Sequence, residues 1–281
     1  MISICTACTP WYPLLELLPR LAAAGYQGIE VGVKPHVADP AIPPNCWSNN
    51  HAVICVEVLE AMLPQLEEQL QRNGLRLAAI GSYHQAHELA VHRRLAAIAR
   101  RLGCGIVRAT IPRHDAALGY AAQLAAQRGA WRELAALGAD QGVRFAIELH
   151  DHTLSPSASS AMRILEGLPT TGCGVILDAA NTVYEGNEAM PMLIDILGAH
   201  LAHVHLKQRT FRRRETPDLG SLFDMPITPL SQPGDVAWPQ IVALLRAAGY
   251  RGWWSVEDFT RLERPEERLA ADAAWVRALL A

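Results

Sequence analysis

Four apolar runs in the second half of the chain each finish in a group that can bind a metal or move a proton. They are Ala146-Ile-Glu-Leu-His150, Val175-Ile-Leu-Asp178, Ala202-His-Val-His-Leu-Lys207 and Ser255-Val-Glu-Asp258. A polar residue closing a buried strand is costly unless it is solvated or used. Four consecutive strands that end this way can bring their ends to one point. Glu148, Asp178, His205 and Glu257 would then set three carboxylates and one imidazole around a single divalent cation. Hard oxygen donors dominate that set, which suits Mn²⁺ first, with Mg²⁺, Co²⁺ or Zn²⁺ as substitutes, and leaves coordination positions for substrate oxygens or water. Any one of these residues alone reads equally well as a helix cap or a solvated group. Their joint occurrence carries the metal reading.

The elements that must position them recur along the whole chain. An Ala/Leu-rich helical stretch, a glycine and a short β-prone run appear as Leu21-Ala-Ala-Ala-Gly25-Tyr-Gln-Gly-Ile-Glu-Val-Gly32 and again as Leu245-Arg-Ala-Ala-Gly249-Tyr-Arg-Gly-Trp-Trp-Ser-Val-Glu257. Glycine past a helix end can adopt the left-handed conformation that closes it, after which an apolar run can enter a buried sheet. Similar junctions stand at Gly74, Gly103 and Gly142. Strands are expected at about 2–6, 28–33, 76–81, 105–110, 143–149, 174–178, 201–206 and 253–258. Helices are expected between them, near 12–24, 54–72, 87–102, 116–140, 157–167, 188–199, 237–248 and 264–280. Eight strand–helix units without hairpins predict an α/β fold, a single (β/α)8 TIM barrel formed by residues 1–281 as one domain. The competing open, doubly wound sheet lacks a Gly-x-Gly-x-x-Gly after its first strand. Long connections at about 34–53 and 207–235 would lie at the C-terminal face, where such loops build substrate sites.

Composition limits the partners. The 281 residues are half hydrophobic and 19% charged, and 25 basic against 28 acidic residues give a net charge of −3. No general positive field draws nucleic acid or an anionic membrane, and a small neutral or mildly charged molecule fits better. Cys5, Cys8, Cys46, Cys55, Cys104 and Cys173 sit mostly among apolar neighbours, as buried thiols of a reducing compartment do. Cys5-x-x-Cys8 has no second such pair to complete a closed zinc site. The N-terminus, with no Lys or Arg before Arg20 and with Pro10 and Pro13 in its apolar stretch, is a poor signal peptide, so a cytoplasmic protein is expected.

The order and spacing of several fragments resemble the xylose isomerase-like barrel superfamily, in its sugar isomerase/epimerase branch. They are Gly25-Tyr-Gln-Gly-Ile-Glu30, Ile147-Glu-Leu-His150, Leu177-Asp-Ala-Ala-Asn181, His203-Val-His-Leu-Lys207 and Gly234-Asp-Val-Ala-Trp-Pro239, followed by Ser255-Val-Glu257. The resemblance implies that Glu148, Asp178, His205 and Glu257 are metal ligands. It also implies that Glu148 and Glu257 carry protons on opposite faces of a sugar or polyol ketone, through an enediolate that the metal stabilises. A homo-oligomer is compatible with it. The same chemistry with loss of a β-hydroxyl would give an inosose-type dehydratase. A barrel that only binds sugar or metal is a further alternative, as is an endonuclease IV-like enzyme. Asn181 stands where some epimerases have histidine, and it removes one ligand expected of the trinuclear endonuclease.

Other polar residues at the same face are candidates for substrate contact: His150, Asn181, Lys207, Glu30, Arg108 and His84. Tyr83 could line the pocket beside His84. Glu30 and Arg108 read also as a structural ion pair inside the barrel mouth. His203 shares inward parity with His205 and is expected to support or pack rather than ligate. Arg212-Arg-Arg214 reads as a solvated loop run before it reads as a phosphate site.

Overall fold

The computed structural model describes residues 1–35, 38–39, 41–218, 221–260 and 263–281. Eight parallel strands close a barrel: β1 (Ile2–Cys5), β2 (Gly28–Val33), β3 (Arg76–Ser82), β4 (Ile106–Arg108), β5 (Arg144–Glu148), β6 (Cys173–Asp178), β7 (Leu201–Leu206) and β8 (Trp254–Val256). Each strand pairs with its sequence neighbours, and β1 closes on β8 through Ile2–Trp254, Ser3–Ser255 and Ile4–Val256. The expected barrel is the observed fold.

The pleat sorts the residues. Ile29 and Val31 on β2, Val175 and Leu177 on β6, and Val204 and Leu206 on β7 join one core with helical residues such as Leu17, Trp131, Trp238 and Leu269. The alternating residues Glu30, Asp178, His203 and His205 are buried as well but lie outside that apolar cluster, on the opposite side of the same strands. The barrel wall is therefore greasy outside, against its helices, and polar within.

Helices lie between the strands where the sequence places them, with two additions. The segment expected at 54–72 is split into Val56–Ala61 and Leu63–Arg72. Pro64 lacks the N–H that would have continued the helix through this point. A short helix, Ala179–Tyr184, follows β6 without a signal in the hydrophobic pattern. Its first turn is capped by Asp178, whose Oδ1 accepts from the Asn181 N–H at 3.0 Å. Gly25 and Gly142 close their helices at φ 93° and 68°, the role the recurring junction predicts.

The second long connection is not an irregular loop. Gln208–Arg209 pairs with Ile227–Thr228, and Arg212–Asp218 with Ser221–Asp224, both antiparallel, so the segment forms a two-part ribbon. Arg212 and Arg213 are exposed on it, and Arg214 pairs with Asp224 at 2.7 Å. Among the described residues no helix is long and apolar enough to cross a membrane. The six cysteines are free thiols, and Cys5 and Cys8 are both buried, with the Cys8 thiol donating to the Cys5 carbonyl.

One packing detail couples the fold to pH. His92, on the helix Leu89–Arg101, is fully buried; its Nε2 donates to the Gln85 carbonyl at 2.9 Å, and its Nδ1 has no partner. Burial lowers its pKa to about 4, so the folded state holds it neutral while the unfolded chain takes a proton near pH 6.5. That difference favours the unfolded state progressively as pH falls from about 6.5 to about 4, by roughly 3 kcal/mol in all. Urea denaturation across this range should show a shallower acid loss for His92→Gln than for the native chain, and equal slopes would contradict the assignment.

Candidate metal and active site

The strand register brings the four polar ends together. Asp178 lies opposite His205 in the β6–β7 ladder, and Glu257, one residue beyond β8, donates its N–H to the Leu206 carbonyl at 2.9 Å. Glu148 closes β5 opposite Ile176, two residues short of Asp178, which is the stagger a tilted barrel imposes. One donor atom from each of Glu148, Asp178, His205 and Glu257 lies within 4.8 Å of the others, and all four residues are buried. His205 turns Nδ1 toward this group, 3.3 Å from Glu148 Oε1 and 3.5 Å from Glu257 Oε1.

Two cations stand among the carboxylates. Lys207 Nζ is 2.5 Å from Asp178 Oδ2 and 3.1 Å from Glu257 Oε2. Burial works against its charge, but Asp178 and Glu257 outweigh burial and push its pKa up. Arg108 Nη1 is 2.9 Å from Glu148 Oε2, close enough for an ion pair but without hydrogen-bond geometry, since that oxygen has no hydrogen-bond partner. Burial alone would raise the Glu148 carboxyl; Arg108 and then His205 hold it well below the usual range.

Charge balance then tests whether a dication fits. With Glu30, just below His205, the interior holds four carboxylates against the two fixed cations Arg108 and Lys207. A neutral His205 leaves two negative charges uncompensated in a buried space, which is the charge of one divalent ion. For the protein alone the imidazole makes up part of the deficit: burial disfavours its charge, yet Glu257, Glu30 and Glu148 raise its pKa well above the usual value. Donor types and charge both fit a divalent cation.

The remaining expected residues divide. His150 is partly exposed at the mouth, with Nδ1 2.9 Å from Asp151 Oδ1, and it lines a cavity of about 170 Å³ with Arg108, Thr110, Arg113, Glu148 and Thr153. Asn181 is buried; its amide donates to Asp178 Oδ2 at 3.0 Å, and its carbonyl accepts from Arg209. It steadies Asp178. His84 is buried and held by Glu88 at 2.8 Å, while Tyr83 sits under the Arg108 guanidinium, 4.9 Å away.

The expected Glu30–Arg108 pair does not form. Arg108 is taken by Glu148, and Glu30 by His203 Nε2 at 2.9 Å and His205 Nε2 at 3.2 Å. Glu30 is fully buried beneath His205 and is occupied by the two histidines of β7. His203 points inward with His205, and its ring meets Glu30. Arg209 and Asp151, which pair at 3.0 Å over Asn181, were missed. Their only sequence signal is adjacency to Lys207 and His150.

The model for the xylose isomerase-like TIM barrel family matches residues 18–279. The chain belongs to that family. No protein of curated function matches it in sequence. Solved structures share the fold at low identity. The apo 3-keto-D-glucoside 4-epimerase YcjR from E. coli superposes with a TM-score of 0.71 at 15% identity, covering 99% of this chain and 98% of the epimerase. The IOLI protein with a bound zinc atom gives 0.74 at 16%, covering 99% and 97%. A xylose isomerase-like TIM barrel/4-hydroxyphenylpyruvate dioxygenase fusion protein gives 0.68 at 18%; this family member covers 99% of itself there but spans only 42% of the fusion.

Removing the Arg108 charge should expose how the site is balanced. Arg108→Met would leave the Glu148 carboxylate buried without its cation and cost about 3–5 kcal/mol when divalent metal is chelated. Added Mn²⁺ should recover part of that loss. Urea denaturation with and without the cation measures both, and an unchanged midpoint in chelator would contradict the pairing.

Proposed function

We propose that this chain, acting as one domain over residues 1–281, is a divalent-cation-dependent isomerase or epimerase of a sugar or polyol ketone. The observation that carries this reading is the convergence of Glu148, Asp178, His205 and Glu257 at one end of the barrel beside an open cavity. The named epimerase among the structures of like fold agrees with it, and a second structure of like fold holds a zinc atom. We assign Mn²⁺ as the working cation, because three carboxylates and one imidazole favour a hard to borderline ion.

A bound cation would supply Lewis acidity toward a carbonyl and its neighbouring hydroxyl, lowering the acidity barrier of the carbon between them. The protein's own residues do the rest. Glu148 and Glu257 are the proton carriers, one accepting from the carbon and the other returning a proton to it. Each is already matched to a cation, Glu148 to Arg108 and Glu257 to Lys207. When a carboxylate takes a proton, its cation is released to face negative charge growing on substrate oxygen. His150, Arg108 and Thr110 line the cavity and would hold the hydroxyls away from the reacting carbon.

Deuterium wash-in from D₂O, run over ketoses and an inosose with Mn²⁺, tests the reading. Native protein should exchange the proton next to the carbonyl of its substrate. Glu148→Gln and Glu257→Gln should each slow exchange by about 10²–10⁴-fold, the usual contribution of a positioned acid or base. Exchange that survives both substitutions would remove the acid–base pair. Loss of water in place of exchange would assign the dehydratase, and cation binding without either reaction would assign a binding protein.

A further inference from the structure

Two groups of metal-ligating side chains are packed in the barrel interior, and they share one residue. Glu148, Asp178, His205 and Glu257 form the first; Glu30, His203 and His205 form the second. They make opposite demands on His205. The first needs Nδ1, which faces Glu148 and Glu257. The second needs Nε2, which lies 3.2 Å from both Glu30 oxygens. The two ring nitrogens diverge, so His205 gives one lone pair to a metal only by committing the other nitrogen as a donor.

The surroundings decide which nitrogen donates. On the Nδ1 side are three carboxylates and a cavity reaching Glu148 from outside. On the Nε2 side there is one carboxylate, fully buried, whose Oε2 also takes His203 Nε2 at 2.9 Å. The fold makes room for that carboxylate. A Cβ on Gly81 of β3 would stand 3.1 Å from Glu30 Oε1, closer than an ordinary contact, and glycine leaves the space open. His203, edge-on to His205 at 5.3 Å between ring centres, holds the second oxygen and fixes the plane of the carboxylate.

We infer that Glu30 is a positioning residue: it receives the His205 Nε2–H, pins the ring, and leaves Nδ1 as the lone pair offered to a divalent cation. The inference rests on the metal site proposed above. It gives the buried acid of β2 a task that neither substrate contact nor a pair with Arg108 provides. A carboxylate behind a ligating imidazole orients the ring and raises its basicity, and loss of such a partner weakens metal affinity by about 10–100-fold.

Zn²⁺ is the probe, because it is diamagnetic and its affinity can be read by competition with a chelating dye. Glu30→Gln keeps the shape and one acceptor oxygen but removes the charge. It should bind Zn²⁺ about 10–100-fold more weakly than the native chain, with an unchanged circular dichroism spectrum. Nitrogen-15 spectra of histidine in the Zn²⁺-loaded native protein should show His205 metal-shifted at Nδ1 and protonated at Nε2, a readout that needs no variant to fold. Undiminished affinity in Glu30→Gln, or zinc on His205 Nε2, would overturn the inference while leaving cation binding intact. A native protein that binds no Zn²⁺ would overturn the metal site as well.

Discussion

The interior of this barrel is built around uncompensated negative charge. Glu30, Glu148, Asp178 and Glu257 are each at most 5% exposed, and carboxylates withdrawn from water to that degree must be paired or bound to metal. Arg108 answers Glu148, Lys207 bridges Asp178 and Glu257, and the two histidines of β7 answer Glu30. With His205 neutral, Arg108 and Lys207 leave over the charge of a dication. Much of the remaining structure serves to hold these groups at fixed separation.

The fold meets that demand by separating functions across the pleat. Outward residues such as Val204 and Leu206 pack on the helices, while His203 and His205, alternating with them on the same strand, point to the axis. The side chains that hold the strand ends extend the same logic outward. Asp178 caps the short helix after β6, Asn181 of that helix returns a hydrogen bond to Asp178, and Arg209 of the ribbon ties Asn181 to Asp151. Trp238 donates its indole N–H to the Lys207 carbonyl at 2.9 Å, anchoring the backbone where the ribbon leaves the barrel.

The barrel and the convergence of Glu148, Asp178, His205 and Glu257 were legible in the sequence for one reason. Strand parity and strand order are local properties, and together they state which ends meet. Glu30 shows the limit. Its partners are more than 170 positions away along the chain, across the barrel axis, and a register shift between Ile29 and Glu30 sets its height. No periodicity reports a contact of that kind, so an acid on β2 read as a neighbour of Arg108. The helix Ala179–Tyr184 was hidden because its cap, Asp178, reads first as the end of a strand. The ribbon was hidden because Arg212–Asp218 is too polar to resemble a buried strand.

Anomalous X-ray scattering from crystals of the protein loaded with Mn²⁺ would locate the cation. A single strong peak is expected, bonded to Glu148, Asp178, Glu257 and His205 Nδ1, with Glu30 on the far side of the imidazole. A peak between Glu30, His203 and His205 Nε2, or none at the strand ends in Mn²⁺ well above its dissociation constant, would contradict it.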